Sequence, residues 1–470
     1  MPRKCWKHFE ALTGSFFVLR AKTDMTTLSP ARQPCNGGGS RERGLPRTAS
    51  AAGNGKQQKS GEIGGTLGIN AKSWAIGSGK GLEGTFASGS RMDTRVARFS
   101  LQSVARNILP KSRTAKCLRL RAYNSEIQVW KHHEHQTAAY AGLQTCGSVW
   151  SCPVCAAKIA ERRRVELQAA MALHRRGVGC VGGRAGAVTL LTLTTPHQKT
   201  DKLSELLEMQ GKALHRFWAD RTVKAVFKDM GTVGHVRALE VTHGRKSPSN
   251  NGWHPHYHCL VFCGSGVDLS RFDKAQLTDW EVKLYLRWAA CCVKSGLGEP
   301  SYAHGIKLDD GTKAAAYVGK WGLEDEMTKG HTKKALHGET PFDFLRSYLA
   351  DGTDSQAAAL FSEFAETFKG KRQLSWSKGL KARFAIEEAT DEELATKPEE
   401  EAVLLGLLTV DQWRDVLKVD GRATVLEIAA RSGWPEVQRF LWFIEGASKG
   451  VALDREMLAE ARFLLLPVPS

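Results

Sequence analysis

The chain has 470 residues, 42% of them hydrophobic, enough to build cores for roughly two to four domains. Lysine and arginine number 67 against 49 acidic residues, and the resulting charge of +18 points to a polyanionic partner, nucleic acid before any other. No stretch approaches the roughly 20 apolar residues of a membrane span, and no export signal is evident, so the 11 cysteines read as those of a reducing, cytoplasmic protein rather than a disulfide framework.

Residues 1–96 are rich in Gly, Ser and Lys without sustained period, and read as a disordered tail. Up to Arg95 they carry 15 basic and 6 acidic residues, half of the whole excess. Residues 97–165 form a Cys-rich region. Cys146, Cys152 and Cys155 have the C-x5-C-x2-C spacing that suits a structural zinc ion, which takes four thiolate or imidazole ligands. The spacing leaves the fourth ligand open between Cys117, His132, His133 and His135, and a redox C-x-x-C is the rival reading. The basic run Lys158–Arg164 follows on a helix. Arg162 and Arg163 are candidates for DNA phosphates there, with a merely solvated face as the alternative.

Residues 166–385 alternate strand and helix signals. Gly186–Pro196 (GAVTLLTLTTP) reads as a buried strand, and Lys202 to about Met230 as one amphipathic helix. His235–His243 and Trp253–Phe262 read as two strands joined by the polar turn 244–252, an antiparallel hairpin. Helices are expected over Phe272–Lys294 and Thr312–Trp321. The region 386–470 reads as helical, and Thr424–Trp442 as a helical hairpin that only loosely resembles a helix-turn-helix. Strands interleaved with helices and joined partly by hairpins define an α+β protein.

The sharpest local signal is Trp253-His-Pro-His-Tyr-His-Cys-Leu-Val-Phe262. Alternate residues of a strand share a face, so His254, His256 and His258 line one side, with Leu260 and Phe262 continuing it. His256 and His258, past the proline, are the expected ligands of a divalent ion, and His254 is expected to be peripheral or to contact DNA. A hard ion such as Mg2+ or Mn2+ also wants oxygen, which Glu240 on the preceding strand can supply. Tyr317 lies between Lys313 and Lys320 at helical spacing, so that cations one turn away favour its phenolate and can hold a phosphodiester. A tyrosine between two solvated lysines is the plainer reading of that stretch.

Taken in order, Leu191-Thr-Leu-Thr-Thr195-Pro, His256-Tyr-His258 and Tyr317-x-x-Lys320 resemble the rolling-circle replication initiators of the HUH endonuclease superfamily. Thr340–Leu345 and Arg372–Leu380 also look like stretches of plasmid replication proteins, so the resemblance covers roughly Cys117 to Phe384. It implies a central antiparallel sheet of about five strands, with a small zinc module before it and Cys117 as the fourth zinc ligand. It implies, too, a metal-dependent nick in single-stranded origin DNA by Tyr317, with Lys320 beside it, giving a 5′-phosphotyrosine and a free 3′-OH primer. Double-stranded origin DNA, its extruded strand, and a host helicase with its replication machinery are the implied partners. Trp321 stands where phage-type relatives carry a second tyrosine, and Lys313 where some plasmid relatives carry a water-activating glutamate. Glu324 and Glu326 are the candidates for activating water instead. A conjugative relaxase or single-strand transposase is the alternative of the same superfamily, and a zinc-containing DNA-binding regulator without catalysis the alternative of another class.

Overall fold

A computed structural model describes residues 91–132, 136–265, 267, 279–311, 338–396 and 402–448. All of them belong to the unit Leu82–Ser470, and the expected tail lies outside them up to residue 90. In chain order, α1 (Arg91–Ile108) and the single turn α2 (Arg113–Lys116) precede β1 (Ile127–His132) and β2 (Thr137–Ala141). Then come α3 (Pro153–Arg175), β3 (Ala187–Thr194), α4 (Leu203–Ala219), α5 (Arg221–Asp229), β4 (Gly234–His243) and β5 (Trp253–Cys263). After α6 (Asp279–Lys294) and β6 (Ile306–Asp310) follow α7 (Pro341–Ala350), α8 (Ser355–Thr367), β7 (Leu374–Trp376), α9 (Leu380–Arg383) and α10 (Asp391–Thr396). The last elements are β8 (Ala402–Leu408), α11 (Val410–Lys418), α12 (Arg422–Ser432) and α13 (Trp434–Ser448).

The architecture is α+β. Five antiparallel strands form the central sheet in the order β6-β3-β5-β4-β7, with β5 in the middle. The apolar run Cys259–Cys263 at the end of β5 is buried on both faces, which suits that central place. On one face Leu191, Leu193, Cys259, Val261, Leu239, Val241, Ile306 and Leu308 join α4 and α6 in the large core. On the other face Val188, Leu190, Val236, Leu260 and Phe262 pack under Leu167, Ala170 and Met171 of α3 and under Leu380 and Phe384. That second core covers only one end of its face. The uncovered end of the same face carries the histidines.

Three features differ from the sequence reading. The expected helix Lys202–Met230 is two, because Asp220 ends α4 and caps α5 by accepting from the backbone N–H of Thr222 and Val223. The C-terminal region is not wholly helical: β8 pairs antiparallel with β1 in a second sheet of order β2-β1-β8. This joins the Cys-rich region to the far end of the chain, and the 165/166 boundary falls inside α3. Within α12 and α13, joined at Gly433 with φ 84°, Val425, Ile428, Ala429, Val437 and Leu441 are buried in the large core, which is packing for a helical hairpin. No helix among the described residues is long and apolar enough to cross a membrane.

Candidate metal centres

Register fixes the first site. His256 of β5 stands opposite Glu240 of β4 and Thr194 of β3, while His258 stands opposite Ala238 and Thr192. Directly paired residues share a face, so one side of the sheet presents two imidazoles and a carboxylate. Glu240 Oε2 is 3.0 Å from His256 Nε2 and 3.4 Å from His258 Nε2. All three ligand atoms lie within 4.8 Å of one another, and the Glu240 side chain keeps 28% of its exposure, leaving an approach from solvent. Burial pushes the Glu240 carboxyl up, but hydrogen bonds and charge from His256 and His258 outweigh it and bring it down to about 2. The carboxylate is therefore ionised at neutral pH and suits a divalent ion together with the two imidazoles.

The ring nitrogens facing away from Glu240 are also placed. Thr192 Oγ1 lies 3.0 Å from His258 Nδ1, and the His254 carbonyl 3.4 Å from His256 Nδ1. The carbonyl at His256 Nδ1 can only accept and so favours the tautomer that leaves Nε2 for a metal, and the Thr192 hydroxyl is compatible with the same tautomer of His258. His254 does not join the cluster; its Nδ1 lies 3.3 Å from His197 Nδ1. Sequence reasoning missed Thr192, His197 and Gln210. Gln210, fully buried on α4, donates to the carbonyl of Pro255, between two of the histidines, and to Thr195 Oγ1. The alternate threonines of TLTLTTP carried the signal for Thr192. Nothing local marked Gln210.

Cys117, Cys146, Cys152 and Cys155 make the second site. Their Sγ atoms lie within 4.8 Å of one another, buried, with 3.5 Å between Cys117 and Cys155, 3.6 Å between Cys146 and Cys155, and 3.8 Å between Cys117 and Cys152. A tetrahedral ion with metal–sulfur bonds of about 2.3 Å sets its sulfurs about 3.8 Å apart, so the spacing fits zinc. The four thiols are free of disulfides. Hydrogen bonds from the other three, Cys117 foremost, hold Cys155 well below the usual thiol range. Backbone and side-chain N–H groups point at the sulfurs: Cys155 N–H at Cys152, Ser148 N–H at Cys146 and the Gln102 amide at Cys152. His132 is buried on β1 outside the cluster, and His133 and His135 lie outside the described residues.

Other expectations fare differently. Arg162 donates to the Leu394 carbonyl, and Arg163, 13% exposed, pairs with Glu166 and Asp391 and donates to the Ala389 carbonyl. These guanidinium groups tie α3 to the segment around α10, Arg162 through the Leu394 carbonyl and Arg163 through Asp391 and the Ala389 carbonyl, so they are engaged within the protein. Lys313, Tyr317, Lys320, Glu324 and Glu326 lie outside the described residues. The chain on either side is placed: Gly311 packs beside Val188, and Glu339 bridges His243 at the end of β4.

An antiparallel sheet presenting a His-x-His pair with a carboxylate, joined to a buried four-thiol cluster, defines an α+β protein with two candidate metal centres. Residues 140–282, which hold three of the four clustered cysteines, Glu240 and both histidines, match the family described as replication protein. The chain is 28% identical over 313 residues to "Protein rep" of Streptomyces lividans, covering 53% of this chain and 66% of that one. It is also 28% identical over 215 residues to a protein of Streptomyces cyanogenus named "Neomycin resistance protein", covering 38% of this chain and 47% of that one. The chain thus spans just under two thirds and about half of these two relatives. No solved structure matches it.

Proposed function

We propose that the protein initiates rolling-circle replication by nicking one strand of origin DNA with Tyr317. The observation that carries this reading is the convergence of His256 and His258 Nε2 on Glu240 Oε2 at the open end of the sheet. These three residues would hold Mg2+ or Mn2+. When bound, the ion polarises a backbone phosphate and offsets the charge that develops there. Thr192 and the His254 carbonyl, at the two Nδ1 atoms, would support the imidazoles in their ligating tautomers.

Tyr317 supplies the nucleophile. Its phenol loses a proton, its oxygen bonds to phosphorus, and the bond from phosphorus to the 3′ oxygen breaks. The 3′ oxygen takes up a proton, by way of Lys320 or solvent, and becomes the primer hydroxyl, while the 5′ phosphate stays on the tyrosine. Chain length permits this. Gly311 sits beside Val188, four residues along β3 from Thr192, or about 13 Å, and the six residues onward to Tyr317 reach up to about 20 Å when extended. The family match over residues 140–282 and the +18 charge support a DNA substrate. The four cysteines would hold zinc as a structural ion. Glu324 and Glu326 remain the candidates for activating water at termination.

The test is incubation of supercoiled origin plasmid with the protein and Mg2+ or Mn2+. Relaxed, nicked circles are expected from the wild type and none from His256→Ala with His258→Ala, or from Tyr317→Phe. A mobility shift without any nick would favour the non-catalytic zinc-containing regulator.

A further inference from the structure

Beyond the metal triad, the same sheet face opens into a cleft of about 650 Å³. The ladder continues from the row of Thr194, His256 and Glu240 to the row of His254 and Thr242, and that next row is part of the cleft lining. One wall is the β4–β5 turn, with Ser249 and Asn251; the other is the loop before β6, with Glu299 and His304. Gly252, at φ +77°, brings that turn against the backbone of Gln198 and Lys199, and the Thr194 N–H donates to the Gly305 carbonyl. Both walls are thus fastened to β3 or its continuation.

The lining has a chemical signature. Among the described residues its lining contains no lysine or arginine, and Glu299 adds an acidic group, so these side chains offer a phosphate no cationic partner of that kind. It offers amide, hydroxyl and imidazole groups, which can donate and accept along the edge of a planar heterocycle, and imidazole faces on which such a ring can stack. His197 and His254 meet edge to face with ring centroids 4.6 Å apart. The volume suits one nucleotide or two.

We propose that this cleft receives an unpaired nucleobase of the single strand, so that the protein reads a base flanking the phosphate held at the triad. The inference rests on the nicking function proposed above and adds to it a determinant of sequence choice. It assigns recognition to hydrogen bonding and stacking in a cleft whose described lining carries no lysine or arginine, with electrostatic attraction left to other surfaces.

The experiment is fluorescence anisotropy in chelator, so that nothing is cut, with labelled single-stranded dodecamers of dA, dC, dG and dT as probes. The wild type should prefer one base by about tenfold, and Asn251→Ala with His304→Ala should reduce that preference to within about twofold, with the melting temperature unchanged. Both side chains are exposed, and Ser249→Ala with Ser301→Ala gives a second exposed pair should the first fail to fold. Equal affinity of the wild type for all four probes, or a preference that survives the substitutions, would overturn the inference. Base preference that depends on the cleft, in a protein that never nicks, would uphold the cleft and sink the nicking function.

Discussion

Thr192 Oγ1 stands 3.0 Å from Nδ1 of His258, one strand away and in direct register with it. With Nδ1 protonated, the hydroxyl accepts the ring N–H and leaves Nε2 facing Glu240, so the threonine-rich strand β3 can act on the site without touching the ion. Thr192→Val keeps the shape and removes the acceptor. It is expected to weaken Mn2+ binding about 10-fold with unchanged circular dichroism, and Thr192→Ser to restore most of it. Equal affinities by calorimetry in all three proteins would remove Thr192 from the site.

Zinc content provides a separate test of the thiol cluster. The purified protein is expected to carry one zinc per chain by elemental analysis, and Cys155→Ser to lose most of it. The N–H groups aimed at the sulfurs and the packing of Cys117, Cys146 and Cys152 into the large core tie the cluster to stability. Strong chelation should therefore lower the melting temperature while Mg2+ in excess should not restore it. A metal-free protein with an unaltered melting curve would contradict the assignment.

Arg245 donates to both carboxylate oxygens of Glu339, at 2.8 and 2.9 Å, and to both of Asp354, also at 2.8 and 2.9 Å. Its side chain and that of Glu339 are nearly buried, so removing the cation leaves Glu339 with Lys246 as its remaining cation and takes the guanidinium from Asp354. Arg245→Ala is expected to cost about 3 kcal/mol in denaturant unfolding. Glu339 is also where the chain rejoins β4 after Tyr317, so the nicking rate should fall more than Mn2+ affinity does. A stability loss below about 1 kcal/mol would show the pair to be solvated.

His235 stacks on Trp218 with ring centroids 4.0 Å apart, and burial first, then Arg237, lower its pKa to about 4. Unfolded, the ring titrates near ~6.5. As pH falls from about 6.5 to about 4 the unfolded chain takes up the proton first, so this group's contribution to stability declines over that window and levels off below it. With the ring only partly buried, the loss is about 1–2 kcal/mol. His235→Phe keeps the stack and should flatten that part of the stability–pH curve; an unchanged slope would show that other groups set it.

Much of the site was legible because its chemistry follows a short period. Histidines at every second residue of an apolar strand announce one face, and a polar turn after His243 announces the hairpin that brings Glu240 opposite His256. What stayed hidden depends on partners remote in sequence. Ala402–Leu408 (AVLLGLL) is a short apolar run that periodicity cannot separate from a helix; it is a strand because β1 offers it an edge. Arg163 looked free for phosphate because Asp391 lies 228 residues away. Gln210 gave no signal, since a buried glutamine on an amphipathic helix gains meaning only from the Pro255 carbonyl it meets.

The most direct measurement is the identity of the residue that becomes linked to DNA. A single-stranded origin oligonucleotide with Mn2+ should yield a covalent adduct, and digestion with peptide mapping by mass spectrometry should place the nucleotide on Tyr317 through its 5′ phosphate. The adduct should vanish in Glu240→Ala with His256→Ala and in Tyr317→Phe. Attachment to a different side chain, or strand cleavage that leaves every peptide unmodified, would contradict the partnership of Tyr317 with the histidine–glutamate site.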